Sequence, residues 1–421
     1  MNISAVAPKF GSTVLAAAAL RGALTLAVLS AVLLIAARPA QAQTEKVLYN
    51  FCPGGGSCTD GAHPTSRLTF DGAGDLYGTT MFGGLGAGTV FELSQNGSGG
   101  WNETVLHRFV GGDGAWPYYS YVIFDSLGNL YGTAYGNGTC CIHTASLGAD
   151  PACGVVFELS PPYWTVTVLH SFEGKGMGCR PVNGLIMDPA GNLYGITEYL
   201  RQNGGARGAV FELSPSAGGW TEQVIYTACT SYAGLTMDAA GNIFGVGCSH
   251  AFELSPNSSG GWTPTIIHTF TGGKDGDTPE GTPVLDRAGN LYGTTEFGGD
   301  KNLGTVYKLS PGKKWWKEKI LYSFKSGEKD GNIPAAGIVF DAAGNIYGTT
   351  SGGGDYGLGT VFELVAPVGK GSYKERILWS FGGPDGGRPF DSLILDNAGN
   401  LYGTASQGGS GGYGVVFEVT P

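Results

Sequence analysis

The stretch DAAGNIYGTT at residues 341–350 decides the fold, because versions of its first eight positions recur throughout the chain. The aspartates that open them are Asp71, Asp125, Asp188, Asp238, Asp286, Asp341 and Asp396. Six positions further on stand Tyr77, Tyr131, Tyr194, Phe244, Tyr292, Tyr347 and Tyr402, which serve here as the repeat centres. Successive copies lie 48 to 63 residues apart. A period of that size overrides a domain count based on length and points to propeller blades.

Around each copy the sequence offers four short β-like segments. An apolar run ends in the Asp, as at Leu185 to Asp188, and a Gly-Asn turn then feeds a second segment such as Asn192 to Gly195. A Gly-rich loop precedes the third, as in GTVFELS at 88–94, and a Ser-Pro or Gly-Gly-Trp turn precedes the fourth, such as Val168 to Phe172. Four short strands rich in β-branched and aromatic residues predict one antiparallel blade per repeat. The expected fold is therefore all-β, a seven-bladed β-propeller with four antiparallel strands per blade. A fourth-type strand opens the domain at Val47 to Phe51 and a third-type strand closes it at Val415 to Val419, so the ring is expected to shut by pairing the N-terminal strand into the last blade. That removes an open sheet edge.

Ahead of the repeats, Lys9 and Arg21 precede an apolar run from Gly22 to Ala37, followed by Arg38 and the small-residue motif at Ala40 to Ala42. This pattern predicts a Sec-type signal peptide over residues 1–42, a propeller over 43–421, no membrane span in the mature chain, and a secreted or periplasmic location. Cleavage would remove three basic residues and shift the net charge from -10 to -13, an acidic balance that excludes nucleic acid as a partner.

The run of Asn-Leu-Tyr-Gly-Thr-Thr, Gly-Gly and Gly-Thr-Val-Phe-Glu-Leu-Ser-Pro resembles the GloVer tandem repeat of exported bacterial proteins, and the Asp-x-x-Gly-Asn turn is similar to that of NHL-type propellers. The resemblance covers residues 45 to 421 and brings a fold but no shared catalytic residue. The C-terminal anchor frequent in that group is absent, which implies a released or periplasmic protein.

Regular residues are read as structural. The repeat Asp caps its own turn, and the Asp of Asp-Gly-x-x-Pro, at Asp60, Asp113, Asp275, Asp330 and Asp385, locks the crossover to the next blade. Trp101, Trp164, Trp220, Trp262 and Trp316 pack between blades. His107, His170 and His268 share their position with Tyr49, Tyr226, Tyr322 and Trp379, which marks a packing site. Cys140, Cys141 and His143, or Cys248 and His250, lack metal-ligand spacing, so no metal and no cofactor are expected. In an oxidising compartment the eight cysteines pair instead, as Cys52 with Cys58, Cys229 with Cys248, Cys153 with Cys140 or Cys141, and the remaining one with Cys179. Gly408 to Gly412 matches a nucleophile-elbow string but lies in a hairpin loop without a following helix.

Irregular residues carry the functional reading. If second-to-third-strand loops and crossovers share a face, that face gathers Phe82, Trp116, Tyr118, Tyr119, Tyr135, Tyr199 and Phe297 beside Glu198 and Glu296. Aromatics among carboxylates suit stacking on sugars and recognition of hydroxyls. The expected function is a non-catalytic binding or scaffold propeller for glycans or another protein. The alternative is a carbohydrate-active hydrolase or lyase using carboxylates around the central funnel.

Overall fold

Within each repeat the strands pair antiparallel in chain order, as in the sheet of Cys179–Met187, Leu193–Gln202, Gly205–Ser216 and Gly219–Ala228. The computed structural model describes residues 43–136, 153–172, 178–202, 205–228, 232–325 and 330–421, with the backbone alone at 199–202, 205–207 and 228. Among them are seven such sheets and no helix. We number them as blades 1 to 7, from the repeat at Asp71 to that at Asp396. Blade 7 is completed by the N-terminal strand Thr44–Asn50, which runs antiparallel to Val415–Thr420, with Thr44 opposite Thr420 and Asn50 opposite Val415. The expected closure of the ring is thus present.

The turn before the second strand forms because one carboxylate satisfies it. Asp341 Oδ1 accepts the N–H groups of Ala343 (2.8 Å) and Asn345 (2.9 Å), while Oδ2 accepts from Asn345 Nδ2 (2.8 Å) and the Tyr347 hydroxyl (3.1 Å). Asp188, Asp286 and Asp396 repeat the set. For Asp125 and Asp286, burial alone would raise the carboxyl pKa, but these hydrogen bonds outweigh it and hold the pKa below its ordinary value. The glycine after the repeat aromatic is imposed by packing. A Cβ on Gly348 would sit 2.7 Å from the Phe362 ring, which lies across the strand.

The core is a set of seven clusters lying between blades. At each junction an aromatic ring from one blade meets a third-strand ring of the next, as in Phe51 with Phe91 (5.1 Å), Phe109 with Phe157 (5.2 Å) and Phe381 with Phe417 (5.0 Å). Both members of each of these pairs are fully buried. The tryptophans pack at the same junctions, Trp262 against Tyr194 and Trp316 against Phe244.

The fourth-strand position shared by His, Tyr and Trp does more than pack. Its ring edges onto the junction phenylalanine, as His107 does on Phe109 (4.9 Å), but its polar atom also meets the crossover Asp. Tyr49 donates to Asp60 (2.9 Å), Tyr322 to Asp330 (3.1 Å) and Trp379 Nε1 to Asp385 (2.7 Å), and His107 Nε2 lies 2.8 Å from Asp113. The same aspartates accept a backbone N–H where the fourth strand ends, from Cys52, Lys325 and Gly382. All three residue types fit because each has an aromatic face and a donor.

Candidate functional site

The crossovers carry an unusual backbone feature. The residue before the crossover proline has a left-handed φ at His63 (54°), Trp116 (52°), Arg180 (60°), Thr278 (55°), Ile333 (57°) and Arg388 (51°). In five of them the N–H donates to a carbonyl in the preceding blade's second-to-third-strand loop, for example Trp116 to Ala87 (2.7 Å) and Arg388 to Leu358 (2.7 Å). The following proline rests on that loop's last glycine, where a Cβ on Gly154 would lie 2.3 Å from Pro181. Crossovers and second-to-third-strand loops therefore do share one face. The strained residue varies in chemistry because only its backbone is needed for the clamp.

One or two residues beyond the proline of Asp-Gly-x-x-Pro, at Tyr119, Glu280 and Phe390, the chain turns toward the propeller axis. Side chains from blades 2 to 7, among them Tyr119, Asn183, Tyr232, Glu280, Phe390 and Asp391, line a single cavity, which must lie on that axis. The space open to the centre of a water molecule there is only about 20 Å³, enough for one water. Its floor is polar. The Arg67 guanidinium stacks on Tyr121 at 3.9 Å, and the Arg67 backbone N–H donates to Asp391 Oδ2 (2.8 Å), whose other oxygen accepts from the Ser392 backbone N–H (2.6 Å). Burial raises the Asp391 pKa to about 6 against the opposing pull of these groups. Beyond this plug a hollow of about 440 Å³ opens along the first strands, lined by Leu185, Met187, Thr236 and Val284 among others.

Above the cavity four tyrosines interlock. Tyr118 contacts Tyr119 (4.2 Å), Tyr135 (5.8 Å) and Tyr232 (5.6 Å), and Tyr119 also meets Tyr232 (5.6 Å) and Phe390 (6.2 Å). Glu198 accepts from the hydroxyls of Tyr135 (2.7 Å) and Tyr232 (3.1 Å) and so ties blades 2, 3 and 4 together. Glu280, from blade 5, is pushed up to about 7 by burial and by the charge of Glu296, itself raised by burial. Burial raises the pKa of Tyr119 and Tyr232 well above the usual phenol range, and both hydroxyls stay protonated. The result is an aromatic platform bearing phenolic donors, a carboxylate acceptor in Glu198 that already takes two of them, and a second carboxyl, Glu280, poised near neutrality.

Tyr118, Tyr119, Tyr135, Glu198 and Glu296 come together here. Trp116 packs beside them, its ring against Gly136. Phe82 and Phe297 end their strands one position past the axial one, opposite Ala62 and Asp277, and are 39% and 37% exposed. Tyr199 stands opposite Cys179 in the register, and its side chain lies outside the described residues. Tyr232, Glu280, Phe390, Asp391, Arg67 and Tyr121 were not anticipated. Counting back six residues from each repeat Asp would have found Tyr119, Tyr232, Glu280 and Phe390 at one equivalent position. A larger hollow of about 860 Å³ lies off the axis along the outer strand of blade 6, beside Trp379 and Asp385. It has no comparable convergence of blades.

Cys52 is bonded to Cys58, and Cys153 and Cys248 are also disulfide-bonded. The partners expected for the last two, Cys140 or Cys141 and Cys229, lie outside the described residues.

Residues 246–421 match a family model described as the Gloeobacter/Verrucomicrobia repeat. The comparison with curated proteins yields no match. Among solved structures the chain is similar to virginiamycin B lyase from Staphylococcus aureus, at 12% identity over 90% of this chain and 99% of that one, with a TM-score of 0.51. It is also similar to a putative 6-phosphogluconolactonase from Bacteroides uniformis, at 11% identity over 87% of this chain and 90% of that one, with a TM-score of 0.49. Identities this low speak to the fold alone.

Proposed function

We propose that the chain, a seven-bladed propeller whose residues 246–421 match the Gloeobacter/Verrucomicrobia repeat, binds a polyhydroxylated ligand, the end of a glycan, on the crossover face over the axial cavity. The observation that carries this reading is the Tyr118, Tyr119, Tyr135 and Tyr232 cluster held by Glu198. Sugar rings stack on aromatic faces, and their hydroxyls exchange hydrogen bonds with phenols and carboxylates. The cavity beneath is too small for a sugar, so the ligand sits at the mouth and the plug of Arg67, Tyr121 and Asp391 acts as its floor.

A glycan array on the protein tests this. Replacing Tyr119, Tyr135 and Tyr232 together by Ala is expected to weaken binding by at least about thirtyfold, since a single buried aromatic anchor is already worth roughly 2 kcal/mol or more. Wild-type affinity in a folded triple variant would sink the assignment. A second reading, a lyase or hydrolase, is favoured by Glu280, whose pKa near 7 suits a general acid. In that case Glu280→Gln abolishes turnover while leaving binding intact.

Export fits either role. Disulfides at Cys52, Cys58, Cys153 and Cys248 belong to an oxidising compartment, and no helix among the described residues is long and apolar enough to cross a membrane. Cleavage after Ala42 makes Gln43 the first residue of the exported protein. Amino-terminal sequencing that begins at Met1 would overturn this.

A further inference from the structure

The blade junctions repeat a three-part polar cluster. It consists of the fourth-strand His, Tyr or Trp, the crossover Asp, and a Glu four residues before the corresponding fourth-strand position in the next blade. Complete sets are Tyr49 with Asp60 and Glu103, Tyr322 with Asp330 and Glu375, and Trp379 with Asp385 and Glu45. In each of these an aromatic donor bonds the Asp, and Tyr322 reaches both carboxylates, at 3.1 and 2.8 Å. The junction of blades 4 and 5 is also complete, but its first member is His268, with Asp275 and Glu318. His107 has Asp113 but Val166 in place of the Glu, and His170 has Glu222 but no crossover Asp.

This junction differs from the others in its bonding. His268 Nε2 and Glu318 Oε1 are buried and 3.3 Å apart, yet neither makes a hydrogen bond. Each side chain is 18% exposed. A ligand atom from Asp275 lies with them, all three within 4.8 Å of one another. An imidazole nitrogen and a carboxylate that touch without a hydrogen bond, joined by a second carboxylate already held by Thr271, have the geometry of a metal site. Ligand atoms on a common ion with bonds near 2.0–2.2 Å stand a little over 3 Å apart. The mixed nitrogen and oxygen set suits Zn²⁺ rather than Ca²⁺ or Mg²⁺, which take oxygen ligands.

We propose that His268, Asp275 and Glu318 bind one Zn²⁺ that staples blade 4 to blade 5, with water in the open position. Asp275 is anchored for this by the Thr271 N–H and hydroxyl, at 2.9 and 2.8 Å. The ion replaces the link that tyrosine or tryptophan provides at the equivalent junctions. It contributes stability because it binds the folded chain and finds no preformed site in the unfolded one.

The protein is stripped with EDTA, dialysed and titrated with ZnCl₂ by calorimetry, and its melting temperature is followed in parallel. One ion per chain and a melting temperature that rises with zinc are expected. His268→Tyr, which restores the residue of the neighbouring junction and so favours folding, and Glu318→Gln should each weaken zinc binding by more than the roughly 100-fold that loss of an indirect metal contact costs. His107→Tyr should leave it unchanged. No uptake by the wild type, or wild-type affinity in both variants, overturns the site. X-ray absorption of the zinc-loaded wild type gives a reading independent of any variant's folding: nitrogen and oxygen neighbours support the assignment, and sulfur refutes it.

Discussion

Removing residues 44–51 is expected to abolish the cooperative thermal transition of the propeller and to make the protein aggregate. The strand Thr44–Asn50 supplies the fourth strand of blade 7, and the residue after it, Phe51, is fully buried against Phe91 of blade 1. Phe51→Ala alone should cost about 3–5 kcal/mol, the range for emptying a buried aromatic site. The deletion adds the loss of Leu48 from the core between blades 7 and 1, and it bares the edge of Val415–Thr420. An unpaired apolar edge is a template for intermolecular pairing. Scanning calorimetry and light scattering check this, and an unchanged melting temperature in the deletion variant would show that the ring does not depend on this closure.

Stability is expected to peak near pH 4 to 5 and to fall toward pH 8, the reverse of what ionised surface carboxylates would produce. Burial pushes Glu45, Glu103 and Glu222 up to about 7, with Asp385 and Asp60 adding to the first two. Glu375 rises to about 8 through burial and its hydrogen bond with Asp330, against the opposing effects of Tyr322 and Lys325. One or both carboxylate oxygens of each of these glutamates are buried without a donor. A carboxyl raised in the folded state binds more protons there than in the unfolded chain. Stability therefore declines as pH climbs from the unfolded pKa, near 4.5, through the folded value. The turn aspartates Asp125 and Asp286, held below their ordinary values, act in the opposite sense and withdraw stability only below about pH 4. A tenfold difference in proton affinity between the folded and unfolded chain is worth about 1.4 kcal/mol before solvent screening reduces it. Four glutamates together should thus lower the melting temperature by roughly 5 °C or more between pH 5.5 and 8. Glu375→Gln should raise it at pH 8 and flatten the profile. A melting temperature that is level or rising across that interval contradicts the assignment.

The fold was legible because the repeat states its blade seven times, and because the count of strand types balances only if the chain's two ends share a sheet. The site was legible in part. Tyr119, Tyr135, Glu198 and Glu296 stand out where the repeat loses its regularity, but Phe82 and Phe297 fall on the neighbouring strand position, and alternation carries neighbours to opposite sides. Tyr232 escaped because the crossover into blade 4 has no Asp-Gly-x-x-Pro to set its register. Asp391 and Arg67 met only through folding, since 324 residues separate them. The fourth-strand histidines were read through their aromatic faces alone. His107 meets the crossover Asp six residues on, whereas His268 touches Glu318 of the next blade, a contact that no local pattern announces.

The pairing of Thr44 with Thr420 puts both ends of the propeller at the same end of one sheet. A tensile load applied through those two residues acts across the hydrogen bonds rather than along the strands. It parts them one rung after another, from the Thr420 end toward Val415, and never shears the whole ladder at once. Propellers of this build are weak to traction on their termini. Pull instead through two blades far from that seam, and the same ring resists as a unit, since no sheet there can be peeled from a free end.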